Sequence, residues 1–274
     1  MSDIHAQLKR LEAWFASIDH AMIALSGGVD SSVVTYLSRR FLGREGTLAV
    51  ISNSASLKQR DLETARQFCD EHDIPLLEID AREIDDPNYA SNPVNRCYFC
   101  KTALYTSLQR LRTERYPGYR ILNGNNFSDF GDYRPGLEAA DEHRVRSPLA
   151  DCGFSKADIR AMARHFQLST WDKPASPCLS SRFPYGHHIT VEKLRQVEAG
   201  EEVLAAYGFD NMRLRHYGDT ARIEVPADQV ARLQQHFDAI SARIRDLGFE
   251  RCEIDDEGLI SGKLNRALPS LSDE

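Results

Sequence analysis

The chain has 274 residues, 42% hydrophobic and 27% charged, which suits one large domain or a medium domain plus a small one and excludes a disordered or fibrous chain. Its 34 basic and 41 acidic side chains give a formal charge of −7, so nucleic acid is not the expected partner, although a local basic patch stays open. The longest apolar run, residues 21–25, is too short to cross a bilayer and follows no basic-then-apolar leader, so a cytoplasmic protein with no membrane partner is expected.

The first 150 residues alternate helix and strand signals. Ile4, Leu8, Leu11 and Phe15 recur at helical spacing, and residues 21–25 read as a short buried strand. A helix follows over about 31–40, a strand over 47–51, a helix over 58–72 and a strand over 75–79. A loop containing Asp86-Pro87 and Asn92-Pro93 leads to a helix from about Cys100 to Arg115, and a fourth strand spans 119–122. Such alternation predicts an α/β fold, a Rossmann-like parallel sheet with helices on both faces, whose ligands sit where the loops after Leu25, Ile51 and Leu122 converge. Ser155-Lys-Ala-Asp158 resembles a capping box and starts a helix running through Phe166. Pro174, Pro177 and Pro184 make residues 167–189 irregular. Beyond them come a helix over 191–207 stopped by Gly208, strands over 212–216 and 221–225, a long helix to Leu247 and a last strand over 251–254. The expected division is therefore a nucleotide domain over 1–170, a cysteine-bearing linker over 171–189 and a small α+β domain over 190–274, the last for substrate or oligomer contacts.

Ser26-Gly-Gly-Val-Asp-Ser-Ser32 lies directly after the first strand and opens a helix. The glycines allow a tight turn and close backbone approach, while the N–H groups, serine hydroxyls and positive helix end all favour an anion. There is no lysine in the loop, which separates it from the Gly-x4-Gly-Lys-Ser/Thr type. The string resembles the PP-loop of ATP pyrophosphatases, enzymes of adenine nucleotide alpha-hydrolase-like fold that release pyrophosphate and leave AMP on a substrate. That resemblance implies ATP as cosubstrate, with Ser26, Gly28, Ser31 and Ser32 holding the pyrophosphate end and Asp30 near Mg2+; Gly27 and Gly124 complete the expected ATP-binding set.

Further strings narrow the chemistry: Asn95-Arg-Cys-Tyr-Phe-Cys-Lys101, Asn123-Gly-Asn-Asn126, Asp132-Tyr-Arg-Pro-Gly136, Ser147-Pro-Leu149, Trp171-Asp-Lys-Pro174, Pro177-Cys-Leu-Ser-Ser-Arg-Phe-Pro-Tyr-Gly186, Met212-Arg-Leu-Arg-His-Tyr-Gly218, Ala221-Arg-Ile-Glu-Val225 and Gly258-Leu-Ile-Ser-Gly-Lys-Leu-Asn265. The ordered set resembles the LarE family of ATP-dependent sulfur transferases. The resemblance implies adenylation of a carboxylate on a small pyridinium mononucleotide, the precursor of a nickel-pincer cofactor, and replacement of AMP by sulfur. In one branch the cysteine matching Cys178 gives up its own sulfur. In another, that cysteine and a Cys-x-x-Cys pair hold a [4Fe-4S] cluster, and Cys97 and Cys100 place this chain with the second. The family also implies a sulfide donor and a homo-oligomer, a hexamer.

Six cysteines in such a chain are expected as reduced thiols. Cys97 and Cys100, three residues apart just before a helix, can converge on one metal, with Cys178 in a proline-bent loop able to join them. Three thiolates leave one iron of a cubane open for exogenous sulfide. A structural zinc half-site completed by Cys178 and His187 or His188, and a redox pair, remain alternatives. Cys69, Cys152 and Cys252 read as core residues, and His187 and His188 as structural. Arg213 and Arg215 occupy alternate strand positions and share one face suited to a phosphate, the alternative being a solvated face. Arg182 would neutralise substrate or adenylate charge. Glu201 lies near the catalytic cysteine by family analogy and is otherwise a surface helix residue. A tRNA thiolase, a non-catalytic nucleotide binder and an amide-forming synthetase are the competing functions. The charge argues against the first, and the last leaves the cysteines unexplained.

Overall fold

A computed structural model describes residues 4–131, 135–174, 176–260 and 262–267. Asp132 to Arg134 of one motif and Ser261 of another lie outside the described residues. The chain divides into two compact units, one of Met1–Glu83 with Cys97–Ser176, the other of Ile84–Arg96 with Pro177–Glu274.

The first unit is the expected α/β layer structure. It contains α1 (Ile4–Phe15), β1 (Ala21–Ala24), α2 (Val29–Leu42), β2 (Thr47–Ser52), α3 (Gln59–Glu71) and β3 (Leu76–Ile79). The chain then enters the other unit through the short helix α4 (Pro87–Ala90) and returns along α5 (Arg96–Arg115) to β4 (Arg120–Leu122), α6 (Pro135–Glu142), α7 (Pro148–Asp151) and α8 (Lys156–His165). The sheet order is β3-β2-β1-β4 and every pairing is parallel, with Ala21 opposite both Thr47 and Arg120. Alternate residues of β1 and β2 feed two opposed cores: Ala21, Ile23, Ala49 and Ile51 pack with Phe15, Leu37 and Phe68, while Met22, Leu48 and Val50 pack with Tyr105, Leu108 and Ile121. Burial on both faces explains why β1 reads as an unbroken apolar run rather than an alternating one. The order of strands reverses between β1 and β4, so the crevice for a ligand opens at the carboxyl ends of those two strands.

In the second unit, α9 (Val191–Ala206) and α10 (Val230–Arg245) accompany a three-stranded sheet of order β5-β6-β7, where β5 is Arg213–Tyr217, β6 is Thr220–Glu224 and β7 is Arg251–Ile254. The β5–β6 hairpin is antiparallel and the β6–β7 pairing parallel. Leu204, Phe209, Leu214, Ile223, Leu233 and Ile240 form its core. A Cβ on Gly200 would lie 2.2 Å from Leu214 Cδ2, so the absence of a side chain there lets α9 lie close on β5. Segment 177–190 is irregular apart from a 3-10 turn over Leu179–Arg182, as its prolines require.

Candidate active site

The phosphate loop takes its shape from its own residues. Gly27 has φ +70, and a Cβ there would stand 3.1 Å from the Asp61 carbonyl oxygen, so glycine is required both conformationally and sterically. Gly28 is the extended N-cap of α2. Ser31 Oγ accepts from Ser26 N at 3.1 Å and donates to the Gly28 carbonyl at 3.1 Å, and the two serine hydroxyls lie 3.0 Å apart. Ser26 and Ser31 therefore tie the loop together. Across the crevice, a Cβ on Gly124 would meet Ser31 N at 2.5 Å, so this position lets the β4 end press against the first turn of α2. Asn123 anchors that neighbouring turn: its Oδ1 accepts from Ser147 Oγ at 2.6 Å and from Asn125 N at 3.1 Å. The Asn123 and Ser147 motifs are thus two halves of one support.

Two buried oxygens at this site, Asp30 Oδ1 and Ser32 Oγ, have no hydrogen-bond partner among the described residues. Native proteins rarely leave such atoms unmet, so both can take a partner from a ligand. Asp30 lines a cavity of about 460 Å³ with Ser26, Gly28, Asp61, Asn126, Lys156 and Lys173 among others, and Ser32 lies two residues on in the first turn of α2. An acidic oxygen, a hydroxyl and a helix N-terminus fit a metal-bound polyphosphate. Asp30 also pairs with Lys156 at the start of α8. Lys173 Nζ donates to the Gly27 carbonyl and to Asp61 Oδ1, each at 2.9 Å. Sequence reasoning missed Lys156, Lys173 and Asp61 as parts of this pocket; the only signal was the motif Trp171–Pro174, which carries Lys173.

In the second unit the arginines are buried. Arg182, 1% exposed, makes a forked contact with Glu201, Nε to Oε1 at 2.8 Å and Nη2 to Oε2 at 3.2 Å. Its Nη1 donates to the carbonyls of Pro177 at 2.7 Å and Cys178 at 3.1 Å, clamping the loop that carries Cys178. Glu201 is no surface residue; it also accepts from Leu214 N at 3.2 Å. Arg215, 2% exposed, donates to Glu224 at 2.7 Å and to the Ser181 carbonyl at 2.7 Å, yet its buried Nε has no partner among the described residues. Arg213 is half-buried and makes no hydrogen bond or ion pair to a described residue. Burial, and then the Arg215 and Arg182 guanidiniums, push it below the ordinary arginine range. A solvated face does not describe this pair. The cluster holds three guanidiniums against two carboxylates, Glu201 and Glu224, and the surplus positive charge suits an anion. Segment 84–96 moors the same loop: Tyr89 OH lies 2.5 Å from Ser180 Oγ, Arg96 donates to the Ser180 carbonyl at 2.9 Å, and Asn92 Nδ2 donates to the Pro184 carbonyl at 2.7 Å.

The helix carrying the Cys-x-x-Cys pair starts at Arg96, four residues earlier than its spacing suggested, so Cys97 and Cys100 stand in the first turn of α5 rather than before it. Cys97 is exposed and Cys100 half-buried. Cys178, half-buried, caps the 3-10 turn of the second unit. Burial pushes the thiols of Cys69 and Cys252 up to about 12, and that of Cys152 upward, which keeps these three protonated as packing groups. His187 and His188 are both exposed. Among the described residues no three His, Cys, Asp or Glu side chains are gathered as a metal site. The thiols match a cluster in donor chemistry. No described helix is long and apolar enough to cross a membrane.

Residues 10–95 match the NAD synthase family, which spans the first three strands and the phosphate loop. An uncharacterised protein of Synechocystis sp. is 40% identical over 97% of this chain and 99% of its own length. The pyridinium-3,5-bisthiocarboxylic acid mononucleotide synthase of Lactiplantibacillus plantarum is 31% identical over 98% of this chain and 97% of its own. The chain belongs to the LarE family. It is accordingly a sulfur transferase built on a PP-loop nucleotide-binding domain. An uncharacterised protein of Methanocaldococcus jannaschii, 28% identical over 84% of this chain and 86% of its own, resembles this LarE family member over a shorter span.

Proposed function

We propose that this protein activates a carboxylate of a small pyridinium mononucleotide with ATP and replaces the AMP by sulfur, yielding a thiocarboxylate. The observation that carries the reading is the PP-loop cavity lined by Asp30, whose buried Oδ1 has no partner among the described residues, in a chain related along its length to a pyridinium-3,5-bisthiocarboxylic acid mononucleotide synthase. In the first step a substrate carboxylate oxygen attacks the α-phosphorus, and the bond to the β-phosphate breaks with its electron pair leaving on pyrophosphate. Ser26, Gly28, Ser31 and Ser32 would hold the polyphosphate, with Gly27 and Gly124 shaping the loop, and Asp30 would hold a Mg2+ that neutralises the phosphate charge. In the second step a sulfur nucleophile attacks the acyl carbon and AMP departs with the carboxylate oxygen. A carboxylate is a poor electrophile, and the adenylate corrects that.

Arg213, Arg215 and Arg182 are proposed to take the substrate's phosphate, with Glu201 as the positioning partner of Arg182. Cys178 is proposed as the catalytic thiol, and Cys97, Cys100 and Cys178 as ligands of a [4Fe-4S] cluster. When bound, that cluster would supply an iron that keeps sulfide deprotonated at neutral pH. The i, i+3 spacing of Cys97 and Cys100 on α5, the first exposed and the second half-buried, supports the pair as ligands.

The test is to incubate the anaerobically prepared protein with Mg2+, ATP, sulfide and the pyridinium biscarboxylate mononucleotide. AMP and pyrophosphate should form in step with thiocarboxylate, and iron should be present with visible absorption. ATP left intact, or a thionucleoside lost from tRNA in a deletion strain, would overturn the reading. A chain lighter by one H2S after turnover would assign the sulfur to Cys178 itself and remove the cluster from the proposal.

A further inference from the structure

The phosphate loop contains no lysine, yet an enzyme that expels pyrophosphate has to stabilise the charge that builds on the departing group. Two ammonium groups reach the PP-loop cavity from elsewhere in the first unit, and they are held differently. Lys173 is built in: its side chain is 19% exposed, it contacts both Gly27 and Asp61, and Arg160 braces its segment by donating to the carbonyls of Trp171 and Lys173. Lys156 is loosely held. Its side chain is 43% exposed, and among the described residues its one ion pair is to Asp30, 126 residues away in sequence. Its backbone is fixed at the first position of α8 by the Ser155–Asp158 capping box, so the stem can swing while its root stays put.

Lys156 occupies one oxygen of the carboxylate whose other oxygen is buried and unpartnered. A divalent cation outcompetes an ammonium for that carboxylate, because the metal is doubly charged and takes oxygen ligands. The polyphosphate in turn offers the displaced ammonium a denser negative charge than Asp30 does. We propose that Lys156 is a catalytic cation that leaves Asp30 when the metal and nucleotide arrive and moves onto the β- and γ-phosphate oxygens. There it neutralises the pyrophosphate as the bond from the α-phosphorus breaks and that oxygen takes the electron pair. Lys173 remains a positioning residue for Gly27. The proposal rests on the reading above that ATP is cleaved at its α-phosphorus.

Lys156→Met and Lys156→Gln remove the ammonium from a partly exposed position and should leave the thermal midpoint within about a degree of the parent. Calorimetric titration with the α,β-methylene analogue of ATP across a Mg2+ series reads binding without turnover; kinetics of pyrophosphate release reads the chemistry. Both variants should reach half-maximal analogue binding at several-fold lower Mg2+, since Asp30 is freed, while kcat for pyrophosphate release falls about 10²–10³-fold and KM for ATP moves little. Lys156→Arg should keep the parent's Mg2+ requirement. An unchanged Mg2+ requirement, or kcat within about threefold of the parent, in a protein that does cleave ATP would overturn this inference alone. A parent protein that neither binds the analogue nor releases pyrophosphate would overturn the function proposed above and this inference with it.

Discussion

Asp30 and Ser32 stand out in the phosphate loop because each has a buried oxygen with no partner among the described residues. An unmet buried oxygen costs about 1–3 kcal/mol, so Ser32→Ala should leave chemical denaturation unchanged or shift it to slightly higher denaturant, while pyrophosphate release drops at least tenfold. Stability and activity moving together would instead make the hydroxyl structural. Glu201 behaves oppositely. It neutralises a fully buried Arg182 that also holds the Cys178 loop, and Glu201→Ala would strand that guanidinium, at a cost of about 3–5 kcal/mol, read as a lowered urea midpoint. The sequence identified Ser26–Ser32 because one peptide segment contains every group involved. It did not reveal Lys156, Lys173 or Asp61, which converge only after the chain has folded, and it left Glu201 open between a site residue by family analogy and a surface helix residue, because nothing local shows which helix face is covered.

Among elements, strand and helix positions followed from periodicity, and the last strand matched residue for residue at 251–254. The short helices α4, α6 and α7 did not, and for one reason: each begins with a proline, Pro87, Pro135 or Pro148. Proline reads as a breaker, but at a first helical position its missing N–H is no loss. The start of α8 was visible because the capping box is a local motif, and Ser155→Ala should lower stability by about 1 kcal/mol, measured by thermal unfolding. Strand β5 carries a pH-sensitive group. His216 stacks on Phe183 with centroids 4.9 Å apart and meets Phe249 edge-on, and burial holds its pKa down at about 4. The unfolded chain binds a proton near pH 6.5 while the folded one does not until about 4, so stability falls as pH drops through that window and is fully regained above it. The thermal midpoint should decline from pH 7 to 4, and His216→Phe should flatten the decline.

For the whole molecule, ligand binding is the clearest readout. A non-hydrolysable ATP analogue with Mg2+ at a hundred times its Kd should stabilise the folded chain by about 2.7 kcal/mol, seen as a higher midpoint; Asp30→Asn should abolish the shift. Transfer RNA at physiological salt should produce none, given a charge of −7. The fold class, the phosphate loop and family membership were written into the linear order of residues, because hydrophobic periodicity and contiguous motifs depend on near neighbours. The burial of Arg182 and Arg215, the pairing of Lys156 with Asp30 and the inclusion of segment 84–96 in the second unit were settled by folding. They depend on which distant segments share a face, and long-range charge pairing and desolvation leave no periodic trace along the chain.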